Sequence, residues 1–145
     1  MSFADMLKFV ETQIRCGMQA MNSVCLLSAH EIAALIRRKT ISPLEVARAH
    51  LERIERLNPK LNAFVDYQPE SVLAQASEAE KAVLRGDELG PLHGVPLSIK
   101  AAIAVAGHRC ESGSRLRAGY TAAEDAPLVA RLRSAGAVIL GTTNV

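Results

Sequence analysis

Near its end the chain carries Ala137-Val138-Ile139-Leu140, four apolar residues in a row directly after a glycine. A strand that reads as a continuous apolar run is buried on both faces, and such strands belong to parallel sheets covered by helices. The preceding Asp125-Ala126-Pro127 opens a helix that carries Leu128, Val129 and Leu132 and closes at Gly136. Helix, glycine and buried strand form the second half of a βαβ unit. The front of the chain is helical. Ser28-Ala29-His30-Glu31 is a capping box, followed by Ile32, Leu35 and Ile36 on one face. Ser42-Pro43-Leu44-Glu45 is a second, with proline at the first helical position, where no backbone donor is needed. Leu44, Ala47, Leu51, Ile54 and Leu57 then line one side, and Asn58-Pro59 is expected to stop the helix. Leu61 to Tyr67 reads as a short extended segment. Pro69 opens a third helix through about Leu84, ended by Arg85-Gly86, with Glu78, Glu80, Lys81 and Arg85 on a solvated face. The pattern predicts an α/β fold: three or four N-terminal helices around the start of a mixed sheet. Its strands are expected near Ala63 to Asp66, Pro96 to Ile99 and Ala137 to Leu140.

Composition removes several function classes. The chain of 145 residues is 49% hydrophobic and 22% charged, within the range of a folded domain. Seventeen Lys+Arg against fifteen Asp+Glu give a net charge of +2 with the signs interspersed, and aromatics are only 3%, so no nucleic-acid groove is expected. No apolar run approaches the roughly 20 residues of a bilayer span, so no membrane association is expected. Cys16, Cys25 and Cys110 are odd in number and show no Cys-x-x-Cys spacing, which favours a reducing, cytoplasmic setting over a disulfide framework. His108 and Cys110 alone do not close a metal site, and His30, His50 and His93 stand at no ligand spacing, so all four histidines read as ordinary surface or loop residues. Neither metal nor cofactor is expected. In residues 1–25, Phe3, Met6, Leu7, Val10, Ile14, Met18 and Met21 recur at helical steps while Asp5 and Glu11 break any signal-peptide core. This leader reads as a helical extension ahead of a domain spanning 26–145.

One stretch carries chemistry. Pro91-Leu92-His93-Gly94-Val95-Pro96-Leu97-Ser98-Ile99-Lys100 runs from a turn-rich start into a strand-like apolar segment ending in a lysine. A lysine that sheds its proton acts as a general base, whereas one that snorkels to water does nothing. Spacing alone favours the second. Ser98 shares a strand face with Lys100, which gives weak support to a local Ser/Lys pair. Beyond it, Glu111-Ser112-Gly113-Ser114 is a loop of small residues that lets backbone approach a ligand or another strand.

His93-Gly94-Val95-Pro96-Leu97-Ser98-Ile99-Lys100, Ser112-Gly113-Ser114, Glu124-Asp125-Ala126-Pro127 and Ala135-Gly136-Ala137-Val138-Ile139-Leu140-Gly141-Thr142-Thr143-Asn144 occur in this order. With the Ser42-Pro43-Leu44-Glu45-Val46 helix and Leu61-Asn62-Ala63-Phe64-Val65 they resemble the N-terminal part of amidase signature family enzymes, from about Leu26 to Val145. The resemblance implies N-terminal helices plus the beginning of the mixed β-sheet of that fold. It also implies hydrolysis of carboxylic amide C–N bonds by a Ser–cis-Ser–Lys triad, with Lys100 at the catalytic lysine. In that chemistry a neutral lysine takes a serine proton through a bridging serine, and backbone N–H groups hold the oxyanion. The family's two serines lie further along its sequence. Ser98, Ser112 and Ser114 do not match them, so the chain is expected to be a truncated amidase domain, inactive alone. Ala101 stands where many members carry Asp, and Thr142 where the tRNA-dependent amidotransferase branch carries Lys. Both favour a general amidase acting on a small-molecule amide; for its assembly a homodimer is one option that the resemblance leaves open. The alternative is the amidotransferase component that releases ammonia from glutamine for Glu-tRNA(Gln) and works with partner subunits; a noncatalytic assembly module or remnant is the third reading.

Overall fold

The computed structural model describes residues 23–145. The expected helical leader lies almost wholly outside them. Among the described residues, helices α1 (Ala29–Arg37), α2 (Pro43–Leu61), α3 (Pro69–Arg85) and α4 (Pro127–Ser134) accompany strands β1 (Phe64–Tyr67), β2 (Pro96–Lys100) and β3 (Val138–Thr143), with a 3₁₀ turn at Arg115–Arg117. The α/β class and the three strands are as the sequence predicts.

Both capping boxes form. The Ser28 and Ser42 hydroxyls accept the Glu31 and Glu45 backbone N–H groups, and each glutamate accepts its serine's backbone N–H in return. Four N–H groups that no helical carbonyl can reach are thereby satisfied. The end of α2 departs from expectation. Asn58-Pro59 does not stop the helix, which continues to Leu61. Pro59 sits in the last turn, where its missing N–H forfeits only one hydrogen bond. Termination falls instead to Asn62 in the left-handed region (φ 50°), whose N–H donates to Asn58 O at 2.7 Å. The Asn58 side chain donates to Phe64 O at 3.0 Å and accepts from Phe64 N–H at 2.8 Å. The residue read as a stop is thus a clamp that turns the chain into β1.

The sheet order is β1-β3-β2, antiparallel between β1 and β3 and parallel between β2 and β3. Alternation along β3 explains its apolar run. Val138 and Leu140 pack on α2 and α3 among Ala47, Leu51, Ile54, Val72 and Ala76. Ile139 points the other way, to Ile99, Val105 and Val129 of α4 and the β2 side. Covering a strand on both faces is worth about 2–3 kcal/mol for each large aliphatic side chain removed from water. A further cluster of Ile32, Leu35, Ile36, Ile41, Val46 and Val95 joins α1 to α2 and to the entry of β2. β3 extends past the expected Leu140 to Thr143, because β1 and β2 both pair with its Gly-Thr-Thr end.

Candidate active site

Lys100 is the last residue of β2, opposite Thr143 of the parallel neighbour β3. Ligands of open α/β sheets bind outside the carboxyl ends of the strands, and both strands end here. The ends are locked: Ala101 N–H donates to Thr143 O at 2.8 Å, Thr143 Oγ1 donates to Ile99 O at 3.4 Å, and Ile103 N–H returns to Lys100 O at 2.9 Å. Period-two alternation buries Ile99 and exposes Ser98 and Lys100, which share a face as expected. Among the described residues, the ion pairs Lys81–Glu78, Arg85–Asp87, Arg133–Asp125 and His108–Asp66 leave the Lys100 amine uncommitted to any carboxylate.

The Glu111–Ser114 loop comes back to the same place. Ser112 N–H donates to Ala101 O at 3.1 Å, so the loop lies against the residue after Lys100. Its return is fixed at a distance by contacts that sequence reasoning missed. Asp66 of β1 accepts Arg109 N–H at 2.8 Å and faces His108 Nδ1 at 3.5 Å. The Arg109 guanidinium donates to Val65 O, Gln68 Nε2 donates to Gly107 O at 3.0 Å, and buried Thr142 donates its hydroxyl to Arg109 O at 3.3 Å. His108 is therefore no surface histidine; it is 4% exposed. Its burial depends on a partner some forty residues earlier, which local spacing does not reveal. Cys110 is buried too, and among the described residues no three His, Cys, Asp or Glu side chains come together as a metal site. His93 turns inward, its Nε2 2.9 Å from Ala79 O on α3, so in the His93-Gly94 pair the imidazole ties the entry of β2 to α3.

On the Ser98 side of the sheet a groove of about 320 Å³ opens against α2, lined by Ile54, Leu57, Phe64, Pro96 and Leu140 with Cys25, His50, Arg53 and Asn58. Burial lowers the His50 pKa, opposed by the hydrogen bond to Val46 O and reinforced by Arg53. Burial likewise raises the Cys25 thiol, against the pull of Arg53 and Arg56. Neither group lies at the strand ends. No described helix is long and apolar enough to cross a membrane.

The Amidase family model matches residues 45–145. The chain is 42% identical over 118 residues to an acylamidase of Rhodococcus erythropolis, covering 81% of this chain and 25% of that one. It is 42% identical over 117 residues to an indoleacetamide hydrolase of Bradyrhizobium diazoefficiens, covering 81% and 22% respectively. Glutamyl-tRNA(Gln) amidotransferase of Carboxydothermus hydrogenoformans, in its GatA component, is 42% identical over 119 residues, covering 82% and 24%. In three dimensions the chain matches a native peptide amidase from Stenotrophomonas maltophilia with a TM-score of 0.74 and 35% identity, over 81% of this chain and 24% of that structure. The chain thus spans about a quarter of the length of these relatives. With the motif order, the mixed sheet and these likenesses in agreement, the chain belongs to the amidase signature family.

Proposed function

We propose that this chain carries the lysine portion of an amide-hydrolysing site, with Lys100 as the general base. The observation that carries the reading is the position of Lys100: final residue of β2, exposed beside the end of β3, with the Ser112 loop folded against its neighbour. A serine hydroxyl attacks a carbonyl only once its proton is withdrawn, and an amine held at a strand end is suited to withdraw it. In this reading the attacking and bridging serines and the oxyanion donors come from polypeptide that matches none of these 145 residues. Ser98, Ser112 and Ser114 act as scaffold. The substrate is a carboxylic amide, cleaved at its C–N bond.

The test is a chimaera in which this chain replaces the matched quarter of the R. erythropolis acylamidase. The chimaera is expected to hydrolyse that enzyme's amide substrate, and the 145-residue chain alone is not, because triad members act as a unit. Turnover by the chain alone that vanishes in Lys100→Ala would overturn the division of labour. A second reading follows from the amidotransferase likeness: ammonia release from glutamine in company with partner subunits. Ammonia production that depends on glutamine and on added partner subunits selects it; hydrolysis of simple amides without them selects the general amidase.

A further inference from the structure

β1 is shorter than the strand it pairs with. Its last residue, Tyr67, lies opposite Gly141, so Ile139 has no strand beside it on that side. Its peptide groups are satisfied nonetheless. The Gln75 side chain of α3 reaches across: Oε1 accepts Ile139 N–H at 3.2 Å, and Nε2, also held by Ser71 O and Oγ at 3.2 and 3.4 Å, approaches Ile139 O at 3.4 Å. One group offering both a donor and an acceptor to the N–H and C=O of one residue is the bonding pattern of an antiparallel rung, here supplied by a side-chain amide. Gln75 Oε1 also accepts from Arg133 Nη1 of α4 at 2.8 Å. Arg133 Nε in turn donates to Asp125 Oδ2 at 2.8 Å, and Asp125 Oδ1 accepts Ala106 N–H at 2.8 Å. Ala106 lies in the loop that follows Lys100, in a second turn closed by His108 N–H on Val105 O at 3.0 Å, and Ala126 N–H on Ala104 O at 2.9 Å holds the same loop.

We propose that Gln75, Arg133 and Asp125 are positioning residues that act as one relay. The relay joins α3, the β1-facing side of β3 and α4 to the loop that follows Lys100, and so sets where that lysine stands. Its members are partly buried, where charge-assisted hydrogen bonds are strong and a broken link leaves a costly unpaired group. Gln75 touches neither Lys100 nor Ala106, and the hydrogen-bonded route from it to the Ala106 amide runs through Arg133 and Asp125. The consequence for Lys100 rests on the function proposed above; the coupling does not.

The experiment is residue-resolved amide hydrogen exchange on the 145-residue chain. Gln75→Leu and the nearly isosteric Gln75→Met, which both remove the acceptor toward Arg133, are compared with the unaltered protein, and so is Arg133→Met, which leaves the Gln75–Ile139 bonds in place. The Val46 amide of α2 serves as a reference. The relay predicts that Ala106 exchanges about tenfold faster in all three variants, as it does in Asp125→Ala, while Val46 is unchanged. Faster exchange at Ile139 with Ala106 unmoved in Gln75→Met, or Ala106 unmoved in Arg133→Met, would show separate local bonds and overturn the relay. A collapse of protection throughout Gln75→Leu leaves the decision to Gln75→Met. In the chimaera, the relay further predicts that Gln75→Met lowers kcat while KM holds, and that Gln75→Glu, which keeps the acceptor toward Arg133, recovers at least half of the loss. A kcat in Gln75→Met equal to the parent's, with Ala106 exchange accelerated, would overturn the positioning of Lys100 by the relay, whereas Lys100→Ala in the same chimaera tests the proposed function by itself.

Discussion

Replacing Gly141 by alanine puts a methyl group where two strands nearly touch. Gly141 lies in the central strand with φ +146°, a backbone conformation that L-residues rarely adopt. A Cβ there would stand 2.3 Å from Asp66 O, 2.9 Å from Tyr67 Cα and 2.8 Å from Tyr67 Cβ. Two of these atoms are backbone, so no rotamer change relieves the clash. β1 and β3 would have to part by about 1 Å to restore ordinary contact, which would disturb the antiparallel pairs and the Asp66 bond to Arg109. Backbone strain of about 2 kcal/mol and overpacking of about 2 kcal/mol give a loss near 4 kcal/mol. With a urea slope of about 2 kcal/mol/M the unfolding midpoint should fall by about 2 M. Gly86, the C-cap of α3, supplies the control. It also has a positive φ (+80°), but nothing lies within 4 Å of its would-be Cβ. Gly86→Ala should therefore cost only about 1 kcal/mol, or about 0.5 M. The assay is urea unfolding followed by circular dichroism. If the Gly141→Ala midpoint falls no further than that of Gly86→Ala, close strand approach does not set this position and the reasoning fails.

Other consequences are read with similar measurements. Ser42→Ala removes the hydroxyl that accepts Glu45 N–H at 3.0 Å and should cost about 1 kcal/mol by urea unfolding, with Ser42→Asp recovering most of it. His50 has a pKa held below its ordinary 6.5 chiefly by burial, so the unfolded chain binds the proton more readily than the folded one. That contribution is complete above pH 6.5 and is lost as pH falls below it toward the depressed folded value. Midpoints measured between pH 7.5 and 5 should decline less in His50→Gln than in the parent, and an equal decline would contradict the assignment.

What can be read in advance follows from how far each signal reaches along the chain. The capping boxes, the helix end at Gly86 and the run Val138-Ile139-Leu140 are legible because cap chemistry and side-chain alternation are local. The strand end holding Lys100 is legible for the same reason, since Pro96 to Lys100 reads as a strand from composition and period. The end of α2 is misread because Asn58 and Pro59 look like a terminator until Phe64 is present to take the Asn58 amide. β3 reads short because Gly141, Thr142 and Thr143 lack an apolar signature, and only pairing on both sides makes them strand. The buried His108, its Asp66 neighbour and the Gln75 rung cannot be read at all. Each joins residues about forty or more positions apart, and before folding each is an ordinary polar side chain.

The central claim is that the amine of Lys100, and no hydroxyl of this chain, does the proton transfer. In the acylamidase chimaera, kcat for amide hydrolysis is measured for Lys100→Ala and Ser98→Ala beside the parent. Both side chains are exposed on one strand face, so neither substitution should unfold the protein. The account predicts that Lys100→Ala loses at least about a thousandfold in kcat while Ser98→Ala stays within about threefold. A Lys100→Ala chimaera that retains the parent rate, or a Ser98→Ala chimaera that loses it, would contradict the account.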